Sequence, residues 1–218
     1  MSNMIARRLF PVAAAFLQTS THNVCARTTG YSRLSPSTAF VSSSASIQTG
    51  TSLRMSSTAT SVSEVKVGDK LPAVTLKEGQ PDYDKPVEVN LLSLIAGKKV
   101  AIFAVPGAFT PGCSKSHLPS FITAKDELAS KGIEMIICVA TNDAYVMEAW
   151  GRTSGGSDAG IRFLSDDASL TRALGLAMES DVFVRSKRYS LIAEDGIVTH
   201  YFSSAEQSSD TWAPNVLS

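Results

Sequence analysis

Beyond residue 64, apolar runs and amphipathic stretches alternate along the chain. Residues 100–105 and 133–140 are almost continuously apolar, which is typical of strands buried on both faces of a sheet. Between them, residues 114–131 place apolar side chains three or four positions apart and end at Gly132, which predicts a helix with one apolar face. A strand, a helix and a second strand in this order predict a βαβ unit with parallel strands.

Shorter elements surround this unit. The pattern predicts strands at 73–76, 87–90 and 162–164, helices at 91–96, 142–150 and 169–174, and a hairpin of strands 189–193 and 197–202 around Glu194-Asp-Gly196. Asn90 and Gly97 should begin and end the first of these helices, and Asn142 or Asp143 should cap the second. This order predicts one α/β domain over residues 64–218 with a thioredoxin-like fold, a central mixed sheet flanked by helices.

Residues 1–63 differ from the rest in composition. They contain five arginines, no lysine and no acidic residue, and they are rich in Ser, Thr and Ala. This composition is typical of organelle transit peptides, so we expect a disordered, cleavable targeting segment for the mitochondrion or the plastid, processed near Arg54-Met55. The alternative is a tail without a targeting role, which would leave the protein in the cytoplasm. Its longest apolar run, residues 9–17, is too short for a bilayer, which takes about 20 residues, so we expect no membrane association.

The charge of the folded region argues against one class of partner. Of the 20 basic and 20 acidic residues in the chain, 15 basic and all 20 acidic ones lie beyond residue 63. The region therefore carries a net charge of −5, whereas binding to nucleic acid needs clustered lysine and arginine. We expect no nucleic-acid partner.

Few residues of the folded region are suited to hold a metal or a cofactor. Its two histidines, His117 and His200, occur without a Cys-x-x-Cys pair, and no phosphate loop or dinucleotide fingerprint is present. We therefore expect neither a metal nor a cofactor. The three cysteines, Cys25, Cys113 and Cys138, are too few for a disulfide framework and indicate a reducing compartment.

Cys113 lies where open α/β sheets place their functional sites. Residues 106–113 leave the carboxyl end of a predicted buried strand and enter a helix. Free backbone N–H groups and the helix dipole favour a thiolate in the first turn. Pro106 ends the strand, and Thr110 lies three residues before the cysteine, so its hydroxyl could donate to the thiolate or accept from a substrate. The alternative is an ordinary buried cysteine, with Thr110 as a plain N-cap.

The same segment carries a family signature. Residues 106–114 contain the pattern Pro-x-x-x-Thr-x-x-Cys, and with Gly107-Ala-Phe109 and Lys115-Ser-His-Leu-Pro119 the chain resembles the peroxiredoxins of the type II (peroxiredoxin-5-like, atypical 2-Cys) subfamily. The resemblance runs from about residue 67 to residue 217. It includes the separated matches 139–146, 150–152, 186–190 and 213–215.

The resemblance implies a thiol-dependent peroxidase. Cys113 would be the peroxidatic cysteine, oxidised by a hydroperoxide to sulfenic acid, with Pro106 shielding the sulfur and Thr110 hydrogen-bonding a peroxide oxygen. An arginine of a late strand would complete the site, and the matching position is Arg188, with Arg185 as a nearby competitor. Glutaredoxin with glutathione, or thioredoxin, would recycle the enzyme, which would form a homodimer.

Two further residues are open to more than one interpretation. Cys138 lies in an apolar run, where a free cysteine is usually core filler, yet plant-like members of the family carry a resolving cysteine at the matching place. Both roles stay open for Cys138. His117 follows Cys113 by one helical turn and could share its face, but a histidine at the surface or core boundary is the commoner arrangement.

Three other functions could use the same cysteine. A cysteine hydrolase would pair Cys113 with His117 or His200, but Pro106 and Thr110 would then have no role. A redox-regulated holdase or signalling adaptor would use the same oxidised thiol without fast turnover. A thioredoxin-like reductase is excluded because only one thiol lies at the helix start.

Overall fold

The computed structural model describes residues 62–218. All but the last two residues of the predicted targeting segment, Cys25 among them, lie outside this range. The strands are β1 (Thr75–Glu78), β2 (Val87–Asn90), β3 (Lys99–Ala104), β4 (Met135–Ala140), β5 (Ile161–Ser165), β6 (Ala177–Met178), β7 (Arg185–Ser186), β8 (Tyr189–Glu194) and β9 (Ile197–Ser203). The helices are α1 (Leu91–Ile95), α2 (Leu118–Ser130), α3 (Ala144–Thr153), α4 (Ser169–Ala173) and α5 (Ala213–Val216), with a π-helix at Cys113–His117 and 3₁₀ turns at Pro81–Tyr83 and Ser208–Thr211.

Seven of the strands form one mixed sheet in the order β2-β1-β5-β4-β3-β8-β9. The pairs β3–β4 and β4–β5 are parallel, as the βαβ pattern predicts, and the other pairs are antiparallel. Strands β6 and β7 pair separately. The mixed sheet between helices confirms the predicted thioredoxin-like fold.

Helices cover both faces of the sheet because the central strands are apolar on both. In β3, Phe103 belongs to a core shared with α2, α3 and α5, whereas Ile102 belongs to a second core shared with α1 and α4. Alternate side chains of a strand point to opposite faces, so one continuous apolar run supplies both cores. Within the described residues, no helix is long and apolar enough to cross a bilayer.

The predicted helix at 114–131 is divided in the structure into the π-helix and α2. The amide N–H of Leu118 bonds to the carbonyl of Cys113, five residues back, instead of four. Pro119 follows at the second position of α2, where it has no N–H to donate and its ring crowds the carbonyl four residues earlier. The wider π turn accommodates this proline.

Other differences from the prediction are small. The first strand lies at Thr75–Glu78 rather than 73–76, and the short β6–β7 pair was not predicted. The predicted caps are present, since the side chain of Asn90 accepts a hydrogen bond from the amide of Ser93 and that of Asp143 accepts one from Tyr145.

The sheet gathers the candidate residues at one edge. Ala104, the last residue of β3, is paired with Tyr189, the first residue of β8. Because these two strands are antiparallel, Arg188 lies beside the point where the chain leaves β3. Strand β4 is parallel to β3 and ends at the same edge, so Asn142 lies there as well.

The start of the described chain packs against the turn after α4. Gly175 has a φ of +69°, and a Cβ added to it would lie 2.6 Å from the carbonyl oxygen of Ser63. Gly97 has nearly the same φ, +66°, with no atom within 4 Å of the added Cβ. We expect Gly97→Ala to lower the free energy of unfolding by about 1 kcal/mol, the cost of the left-handed backbone. We expect Gly175→Ala to lower it by about 3 kcal/mol, because a backbone clash is added.

Urea denaturation of the two variants and the wild type measures both costs. Equal losses for the two glycines would contradict the close packing of Ser63 on the end of α4.

Candidate active site

Cys113 lies at the start of the helical segment that follows β3. Helical backbone begins at Pro111, and the amide of Ser114 bonds to the carbonyl of Thr110 at 2.9 Å. The cysteine side chain is fully buried, although Pro111 and Gly112 next to it are exposed. The cysteine therefore lies in the first turn of the helical segment, as predicted.

The guanidinium of Arg188 contacts the sulfur directly. Its Nη2 lies 3.2 Å from Sγ of Cys113, and its Nη1 lies 2.9 Å from Nδ1 of His117. Arg185 instead donates from Nη1 to the carbonyl of Pro106 at 3.2 Å and lies over the Phe183 ring, 4.6 Å from its centroid. Of the two candidate arginines, only Arg188 reaches the sulfur.

His117 is fully buried, so the prediction of a surface or boundary histidine is wrong. Its ring packs beside Phe103 and Phe121, with centroid distances of 5.1 and 5.6 Å. On the far side from Arg188, Nε2 lies 2.9 Å from the carbonyl oxygen of Thr211 and 3.3 Å from the hydroxyl of Ser190. Burial, followed by the charge of Arg188, lowers the pKa of His117 from 6.5 to about 3, so the imidazole is neutral.

Three hydrogen bonds shape the loop between β3 and Cys113. The hydroxyl of Thr110 donates to the carbonyl of Gly107 at 2.8 Å, rather than to the sulfur. The amide of Ala108 donates to Oδ1 of Asn142 at 2.8 Å, and Arg185 holds the carbonyl of Pro106 as described above. These contacts hold a strained turn at Phe109, whose φ is +59°. Phe109 itself is 57% exposed.

Cys138 occupies the centre of the sheet. It lies in β4 opposite Phe103 of β3 and Phe163 of β5, it is fully buried, and its thiol is free, as is that of Cys113. Both cysteines belong to the core on the α2 side of the sheet. Burial, and next the proximity of Cys113, raise the pKa of the Cys138 thiol well above its ordinary value.

The arrangement argues against a cysteine hydrolase. One ring nitrogen of His117 faces Arg188 and the other faces Thr211, so neither is available to take a proton from Cys113. His200 is exposed on β9 and contacts the hydroxyl of Thr199. Residues 62–218 also contain no group of three His, Cys, Asp or Glu side chains placed to hold a metal ion.

Three contributors to the site were not found from the sequence. Asn142 follows β4 at the edge of the sheet where the chain leaves β3. A polar residue at this place in the sequence could have been predicted to belong to the site. Ser190 and the carbonyl of Thr211 contact His117 only through the fold, and no local pattern marks them.

Comparison with known proteins places this chain among related sequences and structures. The Redoxin family matches residues 66–216, which contain every residue of the site described above. Peroxiredoxin-2E-2, chloroplastic, of Oryza sativa subsp. japonica is 49% identical over 145 residues, 64% of this chain and 64% of its own. Peroxiredoxin-2E, chloroplastic, of Arabidopsis thaliana is 45% identical over 140 residues, 62% of this chain and 59% of its own. The matches thus span less than two thirds of the length of these two relatives.

A solved structure is similar over a larger share of its length. The crystal structure of reduced Prx3 from Vibrio vulnificus in complex with H₂O₂ is 42% identical in sequence, with a TM-score of 0.64. The alignment covers 70% of this chain and 97% of that one.

The buried imidazole of His117 makes the stability of the fold depend on pH. An unfolded histidine binds a proton below pH 6.5, whereas the folded one stays neutral down to about pH 3. The stabilisation is therefore complete above pH 6.5 and is lost as the pH falls through this window. Between pH 6 and 4, we expect the wild type to lose about 1 kcal/mol more per pH unit than His117→Asn, measured by urea denaturation. Parallel losses in the two proteins would show that His117 is not neutral in the fold.

Proposed function

This chain is a peroxiredoxin of the Redoxin family, and from that premise we propose that it is a thiol-dependent peroxidase that reduces hydroperoxides with Cys113. The observation that carries the proposal is the 3.2 Å contact between the Arg188 guanidinium and the buried sulfur at a helix start. The similar Prx3 of known structure was solved with H₂O₂, which supports a peroxide as the substrate.

In the first step, the thiolate of Cys113 attacks the outer oxygen of the hydroperoxide. A sulfur–oxygen bond forms, the oxygen–oxygen bond breaks, and sulfur is oxidised by two electrons to sulfenic acid. The leaving oxygen departs as alkoxide or hydroxide and takes a proton from water to become an alcohol or water. Arg188 stabilises the negative charge on both the attacking sulfur and the departing oxygen, because a guanidinium presents several donors in one plane.

The loop before Cys113 orients the peroxide. The hydrogen of the Thr110 hydroxyl is engaged by the carbonyl of Gly107, so its oxygen is left to accept a hydrogen bond from the peroxide O–H. Pro106 is half-buried at the end of the buried run, where it limits the access of water to the sulfur. Arg185 and Asn142 hold this loop in position through the carbonyl of Pro106 and the amide of Ala108.

In the second step, an external thiol reduces the sulfenic acid. A glutathione thiolate attacks the sulfur and forms a mixed disulfide, while the hydroxide that leaves takes a proton from solvent to become water. A thiolate of glutaredoxin then attacks the glutathione sulfur, which forms a glutaredoxin–glutathione disulfide and releases Cys113 as thiolate. Cys138 is fully buried in β4 with a raised pKa, so little of it is present as the thiolate that an internal resolving residue needs. We assign Cys138 to the core. Because Cys113 is buried too, a bulky thiol reaches it only after the first helical turn opens.

The protein is proposed to act as a homodimer. Three apolar side chains next to the active loop are exposed, Phe109 by 57%, Phe183 by 50% and Val182 by 85%. Arg185 connects Phe183 to the carbonyl of Pro106, which places these side chains beside the site. A second copy would cover this patch. Sedimentation of the reduced protein at micromolar concentration tests this, and a monomer alone would refute it.

The composition of residues 1–63 and the chloroplastic relatives in rice and Arabidopsis support delivery to a plastid. Import of the full chain into isolated chloroplasts, compared with mitochondria, tests this proposal. Import into mitochondria alone would overturn it.

The two neighbouring arginines provide a matched test of the mechanism. Arg188→Lys should slow peroxide reduction about 100-fold, because one ammonium cannot replace the two nitrogens that contact Cys113 and His117. Arg185→Lys should stay within a few-fold of the wild type, since an ammonium can still donate to the carbonyl of Pro106. Both are measured as single-turnover oxidation by hydrogen peroxide.

Cys113→Ser is the negative control and should show no peroxide reduction. Turnover in that variant would refute the proposed peroxidase function of Cys113. A fast Arg188→Lys variant beside a slow Arg185→Lys variant would instead assign the charge-stabilising role to Arg185.

Replacement of Cys138 tests the reduction step. We expect Cys138→Ala to keep its steady-state rate with glutaredoxin and glutathione within about twofold, because Cys138 is a core residue and the loss of its sulfur leaves the reaction path intact. Peptide mapping of the oxidised wild type with glutathione should find glutathione attached to Cys113. A disulfide between Cys113 and Cys138, together with lost turnover in Cys138→Ala, would identify Cys138 as the resolving cysteine.

A further inference from the structure

We propose that His117 is a positioning residue that holds the guanidinium of Arg188 against Cys113, and that the carbonyl of Thr211 holds His117 in turn. The proposal rests on the function proposed above for Cys113 and Arg188. It makes residues 208–216, which form no hydrogen bond with the sulfur, part of the active-site structure.

The directions of the hydrogen bonds follow from the donor chemistry. A guanidinium can only donate, so Nδ1 of His117 must accept from Nη1 of Arg188 across the 2.9 Å contact. The carbonyl of Thr211 can only accept, so Nε2 must carry the hydrogen that spans the 2.9 Å to this oxygen. One neutral tautomer satisfies both contacts, and a protonated ring would lose the contact with Arg188.

The ring is held on every side. Phe103 and Phe121 pack beside it, and the hydroxyl of Ser190 donates to the same carbonyl of Thr211 at 2.5 Å. Among the residues that the structure describes, Arg188 is the only ionisable side chain hydrogen-bonded to His117.

The segment that carries Thr211 is itself anchored on the helix of Cys113. The amide of Ala213 donates to the hydroxyl of Ser120 at 3.1 Å, and that hydroxyl donates to the carbonyl of His117 at 2.7 Å. Ala213 and Val216 are buried in the core that also contains Cys113. Residues 208–216 therefore form a fixed support for the imidazole.

A neutral partner preserves the charge of the guanidinium. A carboxylate partner would offset the positive charge of an arginine. In the described range 62–218, the hydrogen bonds of the Arg188 side chain go to His117 and Cys113 and to no carboxylate. The imidazole thus orients Arg188 while the full charge stays available to the sulfur and to the departing oxygen.

Amide replacements of His117 separate the two hydrogen bonds. The side-chain oxygen of asparagine can take the place of Nδ1, whereas glutamine reaches further and replaces Nε2. Phenylalanine fills the space between the two aromatic neighbours but neither accepts from Arg188 nor donates to the carbonyl of Thr211. If His117 had a purely structural role, the oxidation rates of the variants would follow their loss of stability and would not depend on whether the Nδ1 acceptor is replaced.

We expect His117→Gln and His117→Phe to slow the first oxidation of Cys113 by hydrogen peroxide 10- to 100-fold, roughly the cost of a misplaced catalytic group. His117→Asn should recover to within about threefold of the wild type. The exposed His200→Phe serves as the matched control and should leave the rate unchanged. Equal rates for the Asn, Gln and Phe variants, or rates that follow only their melting temperatures, would overturn the proposal.

A measurement on the wild type does not depend on the folding of any variant. Nitrogen-15 NMR of the reduced protein should show Nδ1 of His117 without a hydrogen and Nε2 with one, unchanged between pH 5 and 8. A hydrogen on Nδ1, or a titration within this range, would refute the assignment. If Arg188→Lys were slow while every His117 variant matched the wild type, this inference alone would fail. A fast Arg188→Lys would instead refute the role proposed for Arg188.

Discussion

The contact between the Arg188 guanidinium and the sulfur of Cys113 is the interaction on which the rest of the site depends. It joins residues 75 positions apart in the chain. They meet because β8 runs antiparallel to β3, so the residue before β8 lies where the chain leaves β3 towards the helix. The sulfur is buried and Arg188 is half-buried, and an interaction between charges is stronger in such surroundings than in bulk solvent. The central strand pairing is therefore as important to the proposed chemistry as either side chain.

Two irregular stretches of backbone deliver the cysteine to this contact. The turn at Phe109 has a positive φ, and the helix after it opens into a π turn before Pro119. Strained backbone persists only where the surroundings hold it, and here Asn142, Arg185 and Thr110 hold the loop through hydrogen bonds. Under the proposed mechanism, this first turn is also the part of the helix that opens for a thiol to reach the buried sulfur.

The two buried cysteines have different surroundings. Cys113 lies at a helix start, with the guanidinium of Arg188 beside its sulfur. Cys138 lies in the centre of the sheet, where burial, and next the proximity of Cys113, raise the pKa of its thiol. The same neutralising effect of burial keeps His117 uncharged, so the guanidinium of Arg188 is held without a counter-charge. Under the proposed function, the environment of each cysteine, rather than its residue type, makes Cys113 the reactive thiol and Cys138 a structural one.

Local patterns in the sequence determined the βαβ unit, the hairpin, the caps at Asn90 and Asp143, and the position of Cys113 at a helix start, because each depends on neighbouring residues. The signature at 106–114 also pointed to Thr110 and Pro106. The resemblance favoured Arg188 over Arg185. Only the tertiary structure showed the contact of Arg188 with the sulfur and placed His117 in the core between Arg188 and Thr211, since the contacts of His117 cross 71 and 94 positions of chain. Contacts of this kind are decided by strand order and by the packing of residues 208–216, and a one-dimensional pattern does not encode which distant groups share a buried space.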